Sequence, residues 1–207
     1  GAYHVASQAP FPRIPYNVAL EKYGSDKPDL RIDLVVEDMT SLVEGSEFAP
    51  FAQGNTVKAV VCSGCELTRK QIDKLCADVE VQAGQKPHWF KVEEDGTFAG
   101  GIAKFLAPRS EAVTGALGLR PGCLVMVSAG ARTAAQKTAG VMRKMLGAAV
   151  PSHMDRERYE FCWVVDFPMY EIGEESGELE FCHNPFSMPG GGADTLDKAI
   201  SGEIDPL

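Results

Sequence analysis

The sequence predicts an α+β fold, and three observations carry that prediction. Strand-like and helix-like runs mix along the chain without a strict strand–helix–strand beat. Two segments open with a Thr followed by a Gln three places on, as helix N-termini do. Short β-branched apolar runs, bounded by glycine, stand between them. The 207 residues, 44% of them hydrophobic, are enough for one large domain or two small ones. A composition of 24% charged and 8% aromatic residues fits an ordinary globular protein rather than a disordered one.

The elements follow in order. "FPRIP" places Pro12 and Pro15 three residues apart, which suits an extended opening. "NVALEKYG" reads as a short helix, with Asn17 as a possible cap and Gly24 closing it. "SDKPDLR" has turn chemistry, since Ser25 and Asp26 can bond nearby backbone and Pro28 bars helix continuation. "TVKAVVCS", Thr56 to Ser63, reads as a buried strand. In "LTRKQIDKLCADVEVQAG", Thr68 and Gln71 form a capping box, and Ile72, Leu75, Cys76 and Val79 share one helical face.

"HWFKV" and "CLVMVSA" read as strands, with a short helix between them that Ser110 could cap. "ARTAAQKTAGVMRKMLGAAV" repeats the capping logic with Thr133 and Gln136. Its packed stripe reads as Ala134, Thr138, Val141, Met142 and Met145. "EFCWVVDFPMYE" reads as one mostly apolar strand, and the acidic turn "IGEESGE" joins it to "LEFCHNPF" as a hairpin. The division this suggests is 1–32, a connecting segment 33–56, a compact unit 57–150, and 151–207.

Charge is uneven along a chain of net −9. Residues 57–150 hold 8 acids and 13 bases, whereas residues 151–207 hold 13 acids and 3 bases. The helix of the middle unit carries Arg132, Lys137, Arg143 and Lys144 with no acid among them. That face is a candidate contact for a polyanion; a solvated helix surface is the alternative. No apolar run reaches the ~20 residues a membrane helix needs. The N-terminus has neither the basic start nor the apolar core of a signal peptide. A cytoplasmic protein with reduced thiols is expected, and the missing initiator Met suggests a piece of a longer gene.

Cys62 and Cys65 form a CxxC. A structural zinc needs four ligands and no second pair exists; these read as strand and turn cysteines, with neither metal nor a low-pKa thiol expected. No Walker loop, GxGxxG, HExxH or GxSxG appears. In "ELEFCHNPFSMPGGG", His183 stands at a strand end on the lip of a Pro- and Gly-rich loop, where ligand contacts concentrate on a rigid scaffold.

Four landmarks carry a resemblance. "FPRIPYNVALEKYGSDKPDLR" resembles the stretch leaving the catalytic core of bacterial-type aspartyl-tRNA synthetases, and "LTRKQID" resembles the first helix of their GAD insertion domain. "WVVDFPMYE" is similar to the family's return strand, and "CHNPFSMP" to its "HHPF" loop, with Asn184 where many relatives have a second histidine. The resemblance implies a GAD-type insertion at 57–150, hung on incomplete strips of an antiparallel class II core. It implies that His183 borders the aspartate pocket, and that the parent enzyme uses ATP and Mg²⁺ to join aspartate to tRNA(Asp), as a homodimer. The family's ATP-gripping arginines have no match here, so no catalytic residue and no bound cofactor is expected of the fragment. The insertion is then either a tRNA-facing accessory unit, through Arg132, Lys137, Arg143 and Lys144, or a structural module that spaces or stabilises the core without touching RNA.

Overall fold

The computed structural model describes residues 4–173, 176–181 and 191–203. In chain order its elements are β1 (His4–Val5), β2 (Arg13–Pro15), α1 (Tyr16–Tyr23), β3 (Val36–Asp38), β4 (Thr56–Cys62), α2 (Arg69–Ala83), β5 (His88–Val92), β6 (Phe98–Ala99), α3 (Ala103–Leu106), α4 (Ser110–Leu117), β7 (Leu124–Gly130), α5 (Arg132–Ala149), β8 (Arg158–Tyr159), β9 (Trp163–Val165), β10 (Tyr170–Ile172), β11 (Leu179–Phe181) and α6 (Ala193–Ile200). The fold is α+β, built on a five-stranded sheet of order β3-β4-β7-β5-β6 in which every pair is antiparallel.

β4 and β7 form the sheet's centre, paired over their full length from Thr56↔Gly130 to Cys62↔Leu124. Both strands are apolar on both faces because both faces are covered. Val60, Cys62, Leu124 and Met126 pack with Ile72, Leu75, Cys76 and Val79 of α2 and with Met142 and Leu146 of α5. Val57, Ala59, Val125 and Val127 point the other way, onto Met39, Val43, Phe51, Phe90, Ile102 and Leu106. The alternation is the two-residue period of a strand. Each fully buried Leu, Ile or Met contributes about 1.5–3 kcal/mol.

α2 forms as its sequence dictates. The Thr68 hydroxyl accepts from the Gln71 N–H, the Gln71 side chain accepts from the Thr68 N–H at 2.8 Å, and Gly84 ends the helix in the left-handed region. α5 departs from its expected start. It begins at Arg132 with no side-chain cap, and Ala134 is exposed where the stripe predicted burial. Asn17 likewise does not open α1, which begins at Tyr16, although Gly24 closes it as expected with φ 63°.

The long apolar strand expected over "EFCWVVDFPMYE" is broken in two. β9 pairs in parallel with β2, and β10 pairs with β11 as the predicted hairpin. Between them Asp166 adopts φ 59°, a turn of the backbone that ends the first ladder. No helix among the described residues is long and apolar enough to cross a membrane.

Candidate functional site

α5 carries all four basic residues proposed for a polyanion, and the structure splits them into two pairs. At about 100° per residue, Arg132 and Arg143 lie about 20° apart around the helix. Lys137 and Lys144 also lie about 20° apart, roughly 120° away from the arginines. The lysine pair is exposed. The arginine pair faces the segment that runs from α1 to β3.

Arg143 is only 2% exposed, which corrects its assignment to the exposed face. Its Nε donates to the Leu34 carbonyl at 2.6 Å, and its Nη2 donates to the carbonyls of Ile32 at 2.8 Å and Asp29 at 2.9 Å. The guanidinium also stacks 4.9 Å from the Tyr23 ring centre. A planar fork of donors suits three carbonyls converging from one loop. The helical arc of Ala139 and Leu146 includes position 143, so the spacing held a signal that the charge of arginine masked.

Arg132 is 71% exposed along its side chain but is paired with Glu21. Glu21 gathers three donors: Arg132, Lys58 and the Gln136 amide, the last at 2.8 Å. Lys58 lies within the apolar run of β4, 2% exposed, and also donates to Asp38 at 2.9 Å. Two cations and two carboxylates thus close a neutral cluster joining α1, β3, β4 and α5. Burial opposes ionisation of Glu21, yet hydrogen bonds from Lys58 and Arg132 hold its carboxyl below the usual value. Asp38 is held low in the same way, with Lys58 and Thr40 outweighing burial. Sequence reasoning missed this cluster, although a lysine inside "TVKAVVC" signals a partner, because lysine is almost never fully buried alone.

The backbones meet as closely as the side chains. A Cβ on Gly140 of α5 would stand 2.3 Å from the Gly24 carbonyl oxygen. A third tie joins the returning chain. His153 Nδ1 pairs with the Asp33 carboxylate at 2.7 Å and its Nε2 with the Ser63 carbonyl at 2.9 Å. Burial works against protonation of His153, but the Ser63 carbonyl and Asp33 prevail and raise its pKa.

What remains of the predicted basic face is Lys137 and Lys144, about 10 Å apart along the helix axis. Exposed Arg156 donates to the Ala148 carbonyl at 3.1 Å at the helix's end and extends that face beyond the residues read from sequence. His183 and Asn184 lie outside the described residues. Cys62 and Cys65 are buried free thiols. Contrary to expectation, the facing Cys62 thiol draws the Cys65 pKa down, aided by the Leu67 N–H, Lys91 and His153 against the pull of burial. Among the described residues no three His, Cys, Asp or Glu side chains gather as a metal site.

A family model described as tRNA synthetases class II (D, K and N) matches residues 2–206. The chain belongs to this family. Among its relatives, the aspartate–tRNA ligase of Streptomyces coelicolor is 46% identical over 99% of this chain and 34% of its own length. The aspartate–tRNA(Asp/Asn) ligase of Acidiphilium cryptum is 43% identical over 92% of the chain and 33% of its own length. That of Rickettsia felis is 35% identical over 95% of the chain and 34% of its own length. The chain therefore spans about a third of the length of the curated relatives it matches.

Proposed function

We propose that the chain is part of an aspartate–tRNA ligase that activates aspartate with ATP and Mg²⁺ and passes it to tRNA. The observation that carries this is family membership from residue 2 to 206, with relatives named aspartate–tRNA ligase at 35–46% identity. Residues 1–32 and 151–207 are read as strips of the catalytic core, 33–56 as the connection, and 57–150 as a GAD-type insertion. Of the eleven exposed large apolar side chains described, nine lie before residue 6 or after residue 158, Trp163 and Phe181 among them. Exposed apolar side chains concentrated in these two segments suit strips that pack against further core. His183 is assigned to the aspartate pocket on the resemblance of its loop.

The test is aspartate-dependent exchange of pyrophosphate into ATP by the full-length protein. Exchange driven by lysine or asparagine instead would overturn the reading within the same family.

For the insertion, the reading is a rigid unit whose solvent face offers Lys137 and Lys144 to tRNA phosphates. A second reading, a spacer that touches no RNA, is favoured by one observation: Arg132 and Arg143 are already engaged by Glu21 and by three carbonyls. Titration with tRNA(Asp) at rising salt separates the two. Phosphate contact predicts binding that weakens with salt, with a log–log slope reduced by about one for each of Lys137→Glu and Lys144→Glu. Binding that ignores both variants makes the unit a spacer.

A further inference from the structure

Strand β4 ends at Cys62, and the chain then reverses through the exposed pair Ser63–Gly64, with Gly64 at φ 58°. The reversal returns Cys65 beneath the turn, where its N–H donates to the Gly122 carbonyl at 3.2 Å. Two cysteines thus flank a two-residue turn, and both are buried in one apolar cluster. They sit in a fixed frame. His153 grips the Ser63 carbonyl at 2.9 Å from one side. Lys91 donates to the Leu67 carbonyl at 2.6 Å on the other, keeping its ammonium close to Cys65.

The turn sets the pair apart from Cys76, which shares their apolar cluster. Cys76 lies on the apolar face of α2, where burial pushes its thiol up to about 11. Cys62 is pushed up as well, by Cys65 first and then by burial. Two cysteines on either side of one turn, Cys65 drawn down with Lys91 and His153 nearby and Cys62 pushed up, have the arrangement of a nucleophile and its resolving partner. Zinc would need further ligands, and none gathers among the described residues.

We propose that Cys62 and Cys65 form a reversible redox site that a small hydroperoxide oxidises to an intrachain disulfide across the Ser63–Gly64 turn. Cys65 is 6% exposed beneath an exposed turn, so the reagent must be small, and hydrogen peroxide is the probe. In the first step the Cys65 thiolate attacks one peroxide oxygen. An S–O bond forms and the O–O bond breaks. Hydroxide leaves and takes up the proton that Cys65 had released, giving water. In the second step the Cys62 sulfur attacks the sulfur of the Cys65 sulfenic acid. The S–S bond forms, the S–O bond breaks, and the hydroxyl leaves as water with the Cys62 proton. Two thiols and one peroxide become one disulfide and two waters.

The experiment uses the full-length protein. Trypsin cleaves after Lys58 and Arg69, so one peptide, 59–69, carries both cysteines and no other. After brief exposure to hydrogen peroxide near pH 7, this peptide should be two hydrogens lighter and return to its first mass with dithiothreitol. It should react at least about tenfold faster than the peptide carrying Cys76, because rate follows thiolate fraction. Cys62→Ser should stop the reaction at a sulfenic acid on Cys65, one oxygen heavier and trapped by dimedone. Oxidation of peptide 59–69 no faster than that of Cys76 would overturn the proposal. So would a Cys62→Ser chain that yields no trapped sulfenic acid.

Discussion

Arg143 Nε donates to the Leu34 carbonyl at 2.6 Å, joining residues 109 apart in the chain. With Ile32 and Asp29 it satisfies three carbonyls of the loop that leads into the sheet. Lysine keeps the charge but offers a single nitrogen to those acceptors. Arg143→Lys is therefore expected to destabilise the fold by about 2–4 kcal/mol, since each buried polar group left unpaired costs about 1–3 kcal/mol. Lys144→Gln, one residue on and exposed, should stay within about 0.5 kcal/mol. Urea midpoints of the two variants compare them directly, and equal midpoints would remove Arg143 from the joint.

Gly24 and Gly140 make the same joint by contact of backbones. The methyl of Gly140→Ala would meet the Gly24 carbonyl oxygen at 2.3 Å, and a backbone atom has little room to give. Alanine favours a helix over glycine by about 1 kcal/mol, but overpacking costs about 1–3 kcal/mol, so a net loss is expected. Gly115 in α4 has open space around it. Gly115→Ala should show the helix preference alone and raise the thermal midpoint, while Gly140→Ala lowers it.

The pH dependence has two limbs of opposite sign. Glu21 and Asp38 are held below their ordinary values of 4.5 and 3.8, so their stabilisation is complete above those values and is lost as pH falls through the depressed ones. His153 is held above its ordinary 6.5, so its contribution is complete below pH 6.5 and is lost as pH rises through the raised value. Urea unfolding from about pH 3 to about pH 9 should show both limbs. Glu21→Gln should flatten the acid limb alone, and His153→Gln the alkaline limb alone. An acid limb unchanged by Glu21→Gln would mean that other carboxylates govern it.

α2 was legible to the residue: its capping box and its buried face of Ile72, Leu75, Cys76 and Val79 all stand as the spacing predicts. Strands β4 and β7 were legible for the same reason, since a run apolar on both faces reports a covered sheet. The start of α5 was not. Thr133 and Gln136 have the right spacing for a box, but the Gln136 amide is bound to Glu21. Nor was the edge strand β3 read from 33–56, a three-residue element defined by its partner β4.

The sequence by itself determined what is local: the buried face of α2, strand alternation, the turn residues and the motifs that mark the family. Hydrophobic spacing acts between residues a few places apart, so it survives without knowledge of the fold. Only the tertiary structure decided which cations were free. Arg143, Lys58 and Arg132 are neutralised or capped by Leu34, Asp38 and Glu21, groups 20 to 111 residues away that arrive when β3 pairs with β4 and α1 packs on α5. A charge in a helix announces itself in sequence, but its partner is chosen by packing, because burying it unpaired would cost more than the helix gains.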